Sequence, residues 1–387
     1  MRAVAAVLAG VVLLVLVSPS VLAPAAALEA QEPSAAVLVP TGRISLASQT
    51  PWVAPGGTFS LSVHVADVRQ TEAIALSVTI HEAVSSRSQF RRTLDGQLLG
   101  DALWRRGDLP LTGVELDSRG AIPLTVDLRG PDEASDRDRP DLVGAGVYPV
   151  RVELRDASSG AAIDGFTTHL VRTRDDDAPA LAVAWVQPFG APPALRPDGS
   201  VELAGGTSEE LASITEVLGA NRVPLSLVPT PETLDALGAS RPELLDQLRS
   251  SLDGRQVVAG PYVDIDTVAL ADAGLGDEIA AQHERGAQAV ASALGVAPGR
   301  RMLVADGDDV APEVLTGLDR LVAPEEALAP LDRALTLANP FVVGAAGGGL
   351  VPAAAVDSGL AAHFTSGGDP VLAAHQLLAD LAVVAYD

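Results

Sequence analysis

From residue 43 to residue 174, apolar and polar positions alternate every second residue. The stretch TFSLSVHV sets Phe59, Leu61, Val63 and Val65 against Ser60, Ser62 and His64. AIALSVTI puts Ile74, Leu76, Val78 and Ile80 on one face, and AIPLTVDL and YPVRVELR repeat the pattern. Such alternation marks strands with one buried face, and APGGT, DSRG and DASSG punctuate it as turns. The spacing predicts an antiparallel β-sandwich over residues 43–174. SSRSQFRRTLDGQLLGDAL breaks the alternation and reads as a helical or loop insert between strands.

RTRDDDAP closes this region; polar, charged and ending in Pro, it supplies a linker at 175–179. From residue 180 the pattern changes. The apolar runs LAVAWV, VPLSLV, RQVVA, RMLVA, RLVA and LVPAAAV alternate with the helical segments SEELASITEVLG, DEIAAQHERGAQAVASALG and DPVLAAHQLLADLAVVAY. Short runs apolar on both faces predict buried parallel strands. TPETLDAL, RPELLDQL, APEVLTGL and APEEALAP each put Pro at a first helical position, where its missing N–H costs nothing, with Glu near the positive helix end. The repeated βα order predicts a parallel α/β barrel over 180–387, whose completeness the pattern leaves open. The multidomain expectation is therefore β followed by α/β. The first body is expected to be immunoglobulin-like, because Tyr148 in GVYPVRVEL stands where such domains tie a corner through a tyrosine hydroxyl.

The first 27 residues read as a signal peptide, with Arg2 as the positive region, Ala3 to Val17 as the apolar region, and a small-residue cleavage site after Ala27. Cleavage is favoured over an uncleaved anchor because Pro19 and Pro24 break the helix. A Pro/Ala-rich lead covers 28–42. The remainder is expected outside the cytoplasm, secreted or in the cell envelope. Of the 387 residues, 48% are apolar, which excludes a disordered chain. The net charge is −24, and all 26 basic residues are Arg. Nucleic acid and anionic membrane surfaces are excluded as partners, since both need a positive footprint. Without Lys there is no Walker A or Schiff-base chemistry, and without Cys no disulfide, thiolate metal site or cysteine nucleophile.

In an α/β barrel chemistry sits beyond the carboxyl ends of the strands. Read this way, the first strand offers Trp185, Gln187 and Phe189, and the third offers Tyr262, Asp264 and Asp266. The fourth offers Asp306, Asp308 and Asp309, the fifth Glu325 and Glu326, and a sixth Asp357. Glycoside hydrolysis needs two carboxyls across the sugar, and Asp264 with Asp306 is the pair from neighbouring strands. Trp185, Gln187 and Tyr262 would bind the substrate. Asp266, Asp308, Asp309 and Asp357 have a sufficient local reason as helix starts or caps. His283, His363 and His375 do not follow strands, so no metal site or cofactor is expected. G-x-S-x-G and G-x-G-x-x-G are absent, and GAAGGGL reads as a loop.

LAVAWVQPFGAPPALRPDGS, VPLSLVPTPETLDAL, QVVAGPYVDIDTVALADAGL, MLVADGDDVAPEVLTGL and HQLLADLAVVAY resemble a family of actinobacterial cell-envelope proteins with no established activity. The resemblance implies a signal peptide, a β-sandwich and a barrel similar to the glycoside hydrolase/polysaccharide deacetylase superfamily. It further implies a role near the flippase for the peptidoglycan precursor lipid II. Relatives often end the second strand with Asp, where this chain has Pro229 and Thr230, and usually continue beyond the position of Asp387 to a membrane span. Membrane contact is thus expected only through an uncleaved signal or such a span. The leading expectation is a non-catalytic or degenerate barrel that binds a cell-wall glycan or an envelope protein. A carbohydrate-active hydrolase and a scaffold for precursor export are the alternatives.

Overall fold

The computed structural model describes residues 40–97, 100–130, 138–174, 180–299, 302–304, 312, 314–328, 339–365 and 368–386. The first body runs β1 (Thr41–Gln49), β2 (Thr58–Arg69), β3 (Ile74–His81), α1 (Arg87–Leu94), β4 (Ala102–Pro110), β5 (Ile122–Asp127), β6 (Gly146–Asp156) and β7 (Ala162–Arg172). It holds two antiparallel sheets, ordered β1-β2-β5 and β4-β3-β6-β7. The alternating apolar residues meet in one core, with Phe59, Leu61 and Val63 from one sheet against Leu76, Val78, Ile80, Val150 and Val152 from the other. The helical insert is α1, whose N-cap Ser86 accepts a hydrogen bond from the Gln89 amide. The Tyr148 hydroxyl lies 2.8 and 2.9 Å from the carbonyls of Val143 and Gly144, as expected of a corner tyrosine.

The second body runs β8 (Val186–Phe189), α2 (Thr207–Ala220), β9 (Ser226–Pro229), α3 (Pro231–Ser240), α4 (Pro242–Ser250), β10 (Gln256–Val257), α5 (Thr267–Asp272), α6 (Gly276–Leu294), β11 (Met302–Val304), β12 (Arg320–Pro324), β13 (Phe341–Gly344) and β14 (Leu350–Val356). Two more helices follow, α7 (Ser358–Thr365) and α8 (Pro370–Tyr386). The strands form two sheets, β10-β9-β8 and β11-β12-β14-β13. All neighbours in these sheets are parallel except β13 and β14. Among the described residues no strand pairing joins the two sheets into a ring. The first sheet packs Phe189, Leu227 and Val257 against Leu234, Leu237, Leu248 and Val290 of the helices. The second has its own small core of Leu315, Leu321, Ala323, Val351 and Ala353. At the coarse level the chain is a mixture of antiparallel and parallel sheets with helices.

Several elements differ from the pattern reading. β8 starts at Val186, not in LAVA, because its partner β9 is four residues long and pairs Val186 with Ser226. Trp185 therefore precedes the strand. Pro324 ends β12 and is followed by a single 3-10 turn, Glu325–Ala327, so APEEALAP does not open an α-helix. GAAGGGL closes a β13–β14 hairpin, with Gly347 and Gly348 at φ 82° and 88°, where a side chain would be strained.

The largest difference concerns α8, which the pattern assigns to the barrel. It packs on the outer face of the first body. Phe90 of α1, Val147 of β6, Val171 of β7 and Ala379 and Val383 of α8 form one buried cluster. This explains why β6 and β7 are buried on both faces where period-two strands should have a wet side.

Gly286 in α6 sets how closely that helix approaches the loop after β10. A Cβ there would stand 2.2 Å from the Gly260 carbonyl oxygen and 3.1 Å from the Pro261 carbonyl carbon, both backbone atoms. Gly286→Ala is expected to cost about 1–3 kcal/mol through forced helix displacement. Gly219→Ala in α2, with nothing within 4 Å of the added methyl, should be neutral or mildly stabilising. Urea unfolding of the two variants checks the contrast.

Candidate functional site

The expected substrate residues do not converge. Trp185 stands one residue before β8, roughly 13 Å along the strand from its carboxyl end at Phe189. Its ring packs on Phe364 of α7 at 5.0 Å between centroids. Phe364 is 57% exposed and was not singled out by the pattern. Gln187 donates to the carbonyl of Pro188, its own neighbour. Phe189 is buried in the core.

Tyr262 does follow β10, but its ring and hydroxyl are both engaged. The guanidinium of Arg285 lies 3.9 Å from the ring centroid, and the hydroxyl donates to Asp235 Oδ2 at 2.9 Å. Partial burial, then the Asp235 carboxylate, push the Tyr262 pKa up. Asp264 is exposed in the same loop. Asp306, Asp308 and Asp309 lie outside the described residues, so the Asp264–Asp306 pairing falls there too. Asp266 caps α5 by accepting from the Ala269 amide at 2.8 Å, as expected. His283 is buried on α6 in the predicted packing role. Among the described residues no group of three or more His, Asp or Glu side chains could hold a metal ion.

Near the end of β9 lies the buried carboxyl of Glu232, the second residue of α3. Its Oε1 accepts from the amides of Ala194 and Leu195 at 2.9 and 3.0 Å, which pins the loop after β8. Its Oε2 is buried with no partner among the described residues. The side chain is 5% exposed, so this acid holds a loop in place rather than facing a ligand.

The strand-end acids that do converge are Asp357 and Glu325, and they meet residues of the first body. Pro324 of β12 pairs with Val356 of β14, so Glu325 and Asp357 leave adjacent parallel strands side by side. Asp357 caps α7 through the Leu360 amide at 3.0 Å, the role read from the sequence. The same carboxylate accepts two hydrogen bonds from Arg87 of α1, from Nη1 at 2.5 Å and from Nη2 at 3.0 Å. Arg87 Nε donates to Asp380 Oδ1 of α8 at 2.9 Å, and Asp380 Oδ2 lies 3.3 Å from His363 Nε2 of α7. Asp380 is 1% exposed and Arg87 8%.

Burial alone would lower the Arg87 pKa, but its bonds to Asp357 and Asp380 overrule this and raise it. Burial likewise pushes the two acids up, and their partners win. Arg87 draws Asp357 below its ordinary value, and His363 with Arg87 does the same for Asp380. Glu325 goes the other way, raised by burial and then by the neighbouring Asp357 charge. It accepts from the Ser358 hydroxyl at 3.2 Å.

His169 of β7 borders this cluster on the outer face of the sheet. It is 1% exposed, stacks on Phe90 at 4.6 Å and touches Thr93 Oγ1 through Nε2 at 2.7 Å. Thr93 gives its own proton to the Phe90 carbonyl at 2.6 Å, so His169 Nε2 is the donor and Nδ1 carries the lone pair. That Nδ1 is buried with no partner among the described residues. Burial first, then His363, push its pKa down to about 3.

No family model matches the chain, and no curated protein matches it. Three solved structures give distant likenesses. A 4-α-glucanotransferase from Thermococcus litoralis is 16% identical, over 47% of this chain and 29% of that one, with a TM-score of 0.37. A calcium-binding mutant of Bacteroides uniformis β-glucuronidase 2 is 12% identical, over 73% and 36%, with a TM-score of 0.18. An ICAM-5 D1–D4 ectodomain fragment is 19% identical, over 38% and 32%, with a TM-score of 0.17. The chain spans about a third of the length of each, and scores at this level establish no common fold.

Arg87→Met strands the buried Asp380 and the part-buried Asp357 without their shared cation. Removing one member of a buried ion pair costs on the order of 3–5 kcal/mol. Stability at neutral pH should fall by that amount. The gap to the parent protein should narrow below about pH 4, as the carboxyls take up protons and no longer need Arg87. Chemical denaturation across pH measures both.

Proposed function

We propose that this chain is an extracytoplasmic cell-envelope module that binds a cell-wall glycan or an envelope partner without turning it over. In this reading the two-sheet body is an immunoglobulin-like sandwich. The parallel-strand body is a degenerate relative of glycoside hydrolase/deacetylase barrels. The Tyr148 corner supports the first assignment, and the alternation of parallel strands with helices supports the second. One observation carries the functional reading. The strand-end carboxylate of Asp357, placed where a barrel would hold a working acid, is spent on Arg87 and on capping α7. A nucleophile or base must keep a free lone pair toward its substrate. The engaged ring and hydroxyl of Tyr262 point the same way.

A second reading has one observation in its favour. Glu325 and Asp357 are neighbouring acids whose environments push their pKa values apart, the relation that separates a general acid from its partner. The alternative is a hydrolase that works with Glu325 as acid.

Incubation of the full chain with purified peptidoglycan sacculi separates the two. Binding without turnover predicts co-sedimentation and no release of soluble muropeptides or reducing ends. Turnover abolished in Glu325→Gln would establish the second reading. Turnover lost in Asp264→Ala or Asp306→Ala would restore the pair expected from the sequence.

A further inference from the structure

We propose that α8 is an acid-released strap, which at neutral pH holds the two bodies together and which lifts from β7 and α1 as the pH falls toward 4.5. Two observations carry this: where α8 is anchored, and what it covers.

Its apolar contact is a satellite cluster, not the main core. Ala379 and Val383 meet Phe90, Val147 and Val171, while the first body closes its own core between its two sheets. Only Val371 and Leu372, at the start of the helix, touch the edge of that main core. The polar ties are few. Asp369 accepts from the Leu46 amide at 2.8 Å, Gln376 donates to the Thr167 carbonyl at 3.3 Å, and the Tyr386 hydroxyl donates to the Arg172 carbonyl at 3.1 Å. The strongest tie is Asp380 to Arg87. An element held by a satellite cluster can open while the cores persist.

His169 lies on the face of β7 that α8 crosses between Thr167 and Val171, and burial there disfavours its protonation. Its Nδ1 has no acceptor among the described residues. The titratable groups that act on it are His363 on α7 and Asp380 on α8, and Asp380 is paired with Arg87 of α1, which also holds Asp357. Asp380 would welcome a proton on His169, but burial and the neighbouring His363 oppose it more strongly. His375 on α8 itself is shifted in the same direction by burial. Lifting α8 wets both rings and returns them toward the ordinary histidine range near 6.5. The sign follows. A histidine depressed in the closed state binds fewer protons there than in the open state, so acid below about pH 6.5 favours opening. Asp357 and Asp380 are held below the ordinary carboxylate range by their partners, so the histidines act first.

Native-state hydrogen exchange on the full chain tests this, with rates corrected for intrinsic chemistry. Between pH 6.5 and 4.5, protection of the α8 amides should drop about 50-fold from His169 alone, because a ring that titrates near 6.5 when open is already half protonated at the starting pH. Protection in β3 and β6 should hold. His169→Gln, which keeps a donor for Thr93, should flatten the α8 response to the smaller share left to His375. Unchanged α8 protection overturns the proposal. So does a drop shared equally by β3, which would mean global unfolding, and so does a full response in His169→Gln. If that variant does not fold, the contrast between α8 and β3 in the unaltered protein still decides.

Discussion

The guanidinium of Arg87 is the buried polar joint between the two halves of this molecule. Arg87 reaches Asp357 with its two terminal nitrogens and Asp380 with Nε, so one planar fork satisfies carboxylates from a strand end and a distant helix. A lysine ammonium has no such fixed divergence of donors. Two acids share one cation, and the His363 ring supplies the remaining polar partner of Asp380. Desolvation makes such a cluster costly to assemble and more costly to break in part. The position of α1, the path of α7 and the docking of α8 all follow from keeping it whole. Gly359, at the first turn of α7, belongs to the same constraint. A side chain there would begin 2.9 and 3.2 Å from the guanidiniums of Arg91 and Arg87.

The sequence reading recovered what short-range physics dictates. Alternation located β2, β3, β5 and β6 but not β1, β4 or β7, part of the insert became α1, and Pro231 and Pro242 open α3 and α4. Tyr148 and the two capping acids, Asp266 and Asp357, act as their local context suggested. Long-range partners were out of reach. Arg87 and Asp380 are 293 positions apart, and neither carries a motif. One signal was available: Asp380 is a lone acid in the apolar run LLADLAVVAY, and an acid in such a run needs a buried partner. A second was FTTHLVR, where Thr167, His169 and Val171 share the face opposite Phe166 and Leu170. Polar residues on one face of a strand ordinarily mean solvent, yet these meet the helices α1 and α8. Trp185 was misplaced because an apolar run longer than its partner strand cannot say where pairing starts.

The acidity of the chain reads differently with these contacts in view. A net charge of −24 gives ample free carboxylates for solubility, but several at the strand ends are not in that pool. Asp357 is neutralised, Asp266 caps a helix, and Glu232 pins a loop from a buried position. The edge of the fold that most often evolves chemistry is here used for architecture. Among the described strand-end acids, Glu325, beside Asp357 and Ser358, has the mixed environment of a reactive acid.

The path of α8 also sets an order of events. Threaded from its amino end, the chain completes β6 and β7 some 200 residues before the helix that covers them emerges. Until then Val147, Val171 and Phe90 form a bare apolar face on an otherwise finished body, and Arg87 waits without its second acid. Closing this surface is a late, long-range event, and such steps are slow because the intervening chain must first be arranged. A protein organised this way spends part of its early life sticky on one side. Whatever escorts it through that interval has as much bearing on its yield as the stability of the finished fold.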